Sequence, residues 1–228
     1  MATKITNVVG SAAALKSAAL AVGVMAGMLA GVGGADAAIT GVFGAATLLG
    51  SPPVSALPGA LVGPPAYCWD EQTSRNFSAL NVNLTVNPGF YTGPGSNFGV
   101  VSGLYDSHMI HFDASSGVAN VSGTVTFSAN IAAVIYDNIL LDATDLSLGS
   151  PGTVYDTGNP FRSYSGGVLN QSIVQLVGNT LHFDLWAFAP ANFMSELRVL
   201  TYAVPTPGSV ALLGLGGLMV ARRRRAGA

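Results

Sequence analysis

The side chains most able to do chemistry crowd one eight-residue stretch, Asp-Ser-His-Met-Ile-His-Phe-Asp, which places Asp106, His108, His111 and Asp113 together. Imidazoles and carboxylates at this density are the donors a zinc site uses. The stretch reads as a strand, however, and successive strand side chains point to opposite faces. That parity puts Asp106 with His108 on one face and His111 with Asp113 on the other. All four reach one ion only if a bulge intervenes, so they read as polar positions at a strand edge. Asp137, Asp142 and Asp145 offer oxygen ligands to calcium, but their spacing matches no D-x-D-x-D-G loop, and they read as solvated loop acids. Asp70 and Glu71 are adjacent and face opposite ways, which excludes them as the paired carboxylates of a glycosidase. The sequence holds no G-x-S-x-G, H-E-x-x-H or P-loop pattern. No catalytic residue and no metal ligand is assigned, and calcium at the three aspartates is the one cofactor entertained.

The lone cysteine, Cys68, excludes an intramolecular disulfide. It reads as a packed residue beside Trp69, its thiol raised by acidic surroundings. Trp69, Tyr91, Tyr155, Tyr164 and Trp186 offer rings for a sugar-binding face, although the interior is the commoner place for such rings.

These residues must be held by strands. Leu80, Val82, Leu84 and Val86 alternate with Asn81, Asn83 and Thr85, the pattern of a half-buried strand. Val121, Gly123, Val125 and Phe127 repeat the pattern, and Leu181, Phe183 and Leu185 alternate with His182, Asp184 and Trp186. Residues 197–203 form the final strand. Turn signals separate these runs, among them Asn87-Pro88-Gly89, Ser150-Pro151-Gly152 and Gly178-Asn179. Residues 131–141 are apolar enough for a buried strand. Many short strands without helical periodicity predict an all-β, antiparallel β-sandwich or jelly-roll-like single domain. A signal helix precedes it and a membrane helix follows.

Both ends carry targeting patterns. Lys4 and Lys16 precede an apolar run over 18–32, and Ala35 and Ala37 give an A-x-A signal-peptidase site, so residues 1–37 read as a secretory signal peptide cut after Ala37. Residues 38–66 form a Pro/Gly/Ala-rich irregular lead, and 67–203 the β domain. In 204–228, Val204-Pro205-Thr206-Pro207 breaks the last strand. A twelve-residue apolar run, 210–221, follows, and then Arg222, Arg223, Arg224 and Arg225. The arginines hold the far end in the cytoplasm. Twelve residues at about 1.5 Å each cover about 18 Å, short of the roughly 30 Å hydrocarbon core. That shortness favours a transient processing signal over a permanent anchor.

The three-part tail resembles the PEP-CTERM sorting signal of Gram-negative and related bacteria, with threonine where the family usually has glutamate. The resemblance implies recognition and cleavage by an exosortase in the inner membrane. Within the body, residues 67–72, 106–113, 121–127 and 197–201 also resemble a group of uncharacterised PEP-CTERM proteins, which implies no activity.

Between the signals, residues 38–203 contain three arginines, no lysine and ten acids, a formal charge of −7. Phosphate-backbone binding draws on clustered Lys and Arg, so nucleic acid is excluded as a partner. The expected partners are signal peptidase, exosortase, the inner membrane transiently, and extracellular polysaccharide. The expected function is a non-enzymatic structural or adhesive role at the cell surface or in the extracellular matrix. A carbohydrate-binding module and a surface hydrolase are the alternatives.

Overall fold

The computed structural model describes residues 36–85, 89–92, 98–114, 116–163, 173–188 and 193–203. Ala35, Tyr164, the sorting motif at Val204, Pro205, Thr206 and Pro207, and the arginines 222–225 lie outside the described residues. Among the described residues no helix is long and apolar enough to cross a membrane.

In chain order the strands are β1 (Ile39–Gly44), β2 (Ala46–Leu48), β3 (Ala66–Asp70), β4 (Arg75–Val82), β5 (Leu84–Thr85), β6 (Gly89–Thr92), β7 (Gly99–Asp113), β8 (Val118–Phe127) and β9 (Ile131–Ile135). Helix α1 (Asn138–Leu148) comes next, then β10 (Ile173–Val177), β11 (Thr180–Phe188) and β12 (Met194–Tyr202). They form two sheets. The smaller has the order β1-β8-β11-β10-β6 and the larger β2-β3-β7-β12-β9-β5, with β4 pairing the first half of β7. Among the described strands every pairing is antiparallel except β2 with β3. The turn between β10 and β11 has two residues, and Gly178 at φ 62 supplies the left-handed conformation that so tight a reversal requires.

Strand alternation builds the shared core. Val121, Val125 and Phe127 of β8 and Leu181, Phe183 and Leu185 of β11 meet Cys68, Ile110, Phe112, Leu197 and Val199 of the larger sheet in one buried cluster. The opposite face of the larger sheet is covered as well. Trp69, Met109, Ile135 and Leu200 pack there beneath Leu141 and Leu148 of α1. Burial of each of these two leucines is worth about 1.5–3 kcal/mol. This second cover explains why β12 is buried at every position from Met194 to Thr201.

Three expectations are corrected. The lead at 38–66 is not wholly irregular, since its first part supplies β1 to one sheet and β2 to the other. The run around Asn83 is two strands rather than one. Leu80 and Val82 lie in the cluster under α1, whereas Leu84 lies in the cluster between the sheets. The chain crosses over at Asn83, which is buried and accepts the N–H groups of Tyr136 and Asp137 at 2.8 and 2.9 Å. The third correction is α1 itself. Asp137 caps it by accepting the Ile139 N–H at 3.0 Å, and buried Leu141, Thr144 and Leu148 fall on one helical face.

Candidate functional site

Strand β7 pairs β12 without a break in register from Tyr105 to Asp113, so the parity read from the sequence holds. Its polar residues serve two clusters, one on each face of the larger sheet.

The first cluster faces the interior between the sheets. His108 is fully buried, with Nδ1 2.7 Å from Asp70 Oδ1 and Nε2 2.9 Å from Thr201 Oγ1. A carboxylate, an imidazole and a hydroxyl in that order resemble an activated-nucleophile relay. Here Thr201 is itself fully buried, and the Phe127 ring lies 4.8 Å from the imidazole, so the hydroxyl points into a packed core. The three side chains act as a strut across β3, β7 and β12. Next to them Asp106 accepts the N–H groups of Ala37 at 2.6 Å and Ser74 at 2.5 Å.

The second cluster lies under α1 and is built on two buried arginines. Glu196 and Arg198 stand two apart on β12 and therefore share a face. Arg198 donates to Glu71 at 2.7 and 2.9 Å, to Asp145 at 3.0 Å, to Thr144 Oγ1 at 2.7 Å and to the Leu141 carbonyl at 3.2 Å. Arg162 donates to Glu196 at 2.5 Å, to Asp142 at 2.8 Å and to Asp145 at 2.6 and 2.9 Å. His111 Nδ1 lies 2.8 Å from the other Glu196 oxygen. Asp145 thus bridges both guanidiniums.

Tyr155 closes the assembly. Its ring centre is 5.5 and 5.4 Å from the guanidinium carbons of Arg162 and Arg198, a cation–π arrangement. Its hydroxyl donates to Glu71 at 2.6 Å and accepts the Ser150 N–H at 2.8 Å. Gly149 makes room for it, because a Cβ there would lie 2.7 Å from the ring and 2.4 Å from the Asp145 carbonyl.

The charges are mutually held. Burial pushes the Glu196 carboxyl up, but Arg162 and His111 outweigh it and hold the group at about 2. Burial works to lower both arginines, and their carboxylates, Glu196 and Asp145 for Arg162 and Glu71 and Asp145 for Arg198, raise them instead. Burial, then Glu71, raises the Tyr155 phenol.

The sequence candidates are therefore dispersed into separate roles. Asp113 accepts the Gly59 N–H at 2.5 Å and so ties the loop between β2 and β3 to the end of β7. Asp142 and Asp145 are not solvated loop acids but helix residues paired with arginine, and Asp137 is a cap. Among the described residues no group of three His, Cys, Asp or Glu is arranged to hold a metal. Cys68 is packed as expected, but burial rather than nearby acid pushes its thiol up to about 12. Trp69 is fully buried, and Tyr155 is engaged by the two arginines. The sequence reading missed Arg162, Arg198 and Glu196. The available signal was the Glu-x-Arg spacing of β12, which aims both charges at one face.

Compared with known proteins, the chain matches no family model, no curated protein and no solved structure.

Proposed function

We propose that this chain is an exported bacterial surface or matrix protein, a jelly-roll-like antiparallel β-sandwich delivered by an N-terminal signal peptide and a C-terminal exosortase signal. Its role is structural or adhesive. The observation that carries the reading is where the compact unit ends. That unit runs Ala35–Val204, and the two processing signals read from the sequence, 1–37 and 204–228, overlap it by three residues at one end and by one at the other. Cutting at both ends therefore releases the domain nearly whole. The polar clusters fit the same reading, because every ion pair described joins segments of the domain that are separated along the chain and so serves its cohesion.

Intact mass combined with cell fractionation in a host carrying exosortase tests the proposal. A species lacking both ends, found at the outer surface or in the medium, is the expected result. A species retaining Arg222 to Arg225 in the inner membrane overturns sorting and leaves a tail-anchored periplasmic domain.

One observation favours a second reading, a carbohydrate-binding module. A groove of about 510 Å³ is lined by Asn81, Asp137, Ile139 and Phe98, and Phe98 is 66% exposed. A ring flanked by an amide and a carboxylate is a combination that stacks on and hydrogen-bonds a sugar. A glycan array probed with the domain and with Phe98→Ala decides it, and an absence of hits for the unaltered domain removes this reading.

A further inference from the structure

We propose that signal peptidase cuts this chain between Ala35 and Asp36, two residues before the position the A-x-A pattern indicates, so that Ala37 is a structural residue of the exported domain. The inference rests on the export reading above. Three consecutive backbone N–H groups are each taken by a different side chain. Ala37 donates to Asp106 Oδ2 at 2.6 Å, Ala38 to Ser128 Oγ at 2.9 Å and Ile39 to Asp70 Oδ1 at 3.1 Å. The Ser128 N–H returns to the Ala38 carbonyl at 2.9 Å. Ala37 is 1% exposed and Asp106 is completely buried. The second Asp106 oxygen is committed to the N–H of Ser74, a residue held at φ 53. Residues 37–39 are thus clasped to β3, β7 and the turn after β8 before β1 is under way.

A cut after Ala37 dismantles this clasp. It removes the residue whose N–H satisfies Asp106 Oδ2 and leaves a buried carboxylate oxygen without its donor. It also creates an ammonium at Ala38, a nitrogen whose partner is a serine hydroxyl rather than a carboxylate. A cut after Ala35 keeps these contacts of residues 37–39 and forms the ammonium on Asp36, which is exposed. Signal peptidase requires small residues immediately before the cut and two further back. Ala35 and Gly33 meet that requirement as well as Ala37 and Ala35 do, so the two sites are equal in sequence. Only the earlier one yields a product in which Asp106 keeps its donor.

The test is N-terminal sequencing and intact mass of the exported protein, made from the full chain in a bacterium with its own signal peptidase. The expected product begins Asp-Ala-Ala-Ile. Two variants separate the sites by steric block. Gly33→Leu obstructs the earlier cut alone and moves processing to the later one, so that the product of this variant begins at Ala38. Ala37→Leu obstructs the later cut alone, and processing proceeds unchanged. From the unaltered chain, a product beginning at Ala38, or at any residue other than Asp36, overturns the position of the cut while leaving export intact. A chain that retains Met1 overturns the export reading and the cut with it.

Discussion

Replacing Glu196 by glutamine tests whether the buried charges hold the domain together. The carboxylate has no exposed surface and receives Arg162 Nε at 2.5 Å and His111 Nδ1 at 2.8 Å. Its descent from an ordinary 4.5 to about 2 corresponds to about 3 kcal/mol of folding free energy at neutral pH, at 1.36 kcal/mol per tenfold change in proton affinity. Loss of one partner from a buried pair costs about 3–5 kcal/mol. The lower figure applies, because Asp142 and Asp145 still hold Arg162. The sign follows from the direction of the displacement. A carboxyl held below its unfolded value stabilises the fold above about pH 4.5 and loses that contribution as pH falls toward 2. Urea unfolding of the processed domain, run from neutral to acid pH for both proteins, measures the difference. Glu196→Gln is expected to be less stable by about 3 kcal/mol at pH 7 and to converge on the parent near pH 2. A gap that stays constant with pH, or one below about 1 kcal/mol at pH 7, refutes the reasoning.

Three further outcomes follow from the same geometry. Arg198→Met strands Glu71 and is expected to cost about 3–5 kcal/mol in chemical denaturation, whereas Glu71→Leu combined with Arg198→Met recovers part of that loss, because no buried charge is then left alone. Asp137→Ala removes the cap of α1 and lowers stability by about 1 kcal/mol, with the loss reported by thermal unfolding. Cys68, its thiol pushed up to about 12 by burial, stays unlabelled by a thiol reagent at pH 8 in the folded protein and reacts once denaturant is added. Rapid labelling under native conditions would contradict its placement in the core.

Period-two patterning made β8, β11 and β12 legible, because each has one face on the shared core and carries polar residues or a chain end elsewhere. Helix α1 was hidden for a physical reason. Ile139 is 70% and Leu146 98% exposed, so apolar residues sit on its outer as well as its inner face and blur the helical stripe. The cap at Asp137 and the spacing of Leu141, Thr144 and Leu148 were the remaining signals. Parity on β7 correctly separated Asp106 and His108 from His111 and Asp113, since that inference needs only an unbroken strand. What each one meets depends on residues far away in the chain. Glu71 and Arg198 are 127 positions apart, and no local pattern relates them. The same holds for Arg162, which lies in an irregular segment whose course is set by the two carboxylates of α1 that it binds.

The placement of β12 has a mechanical consequence. It is the last strand before the tail, yet it lies inside the larger sheet between β7 and β9 rather than at an edge. Its register gives it nine partners on β7 and four on β9; Arg198 braces it to the helix through Asp145, and Glu196 does so through Arg162. A domain tethered through its C-terminal end would take tension along this strand. Pulled lengthwise, β12 cannot peel away one rung at a time, and the rungs on both sides share the force until they fail together.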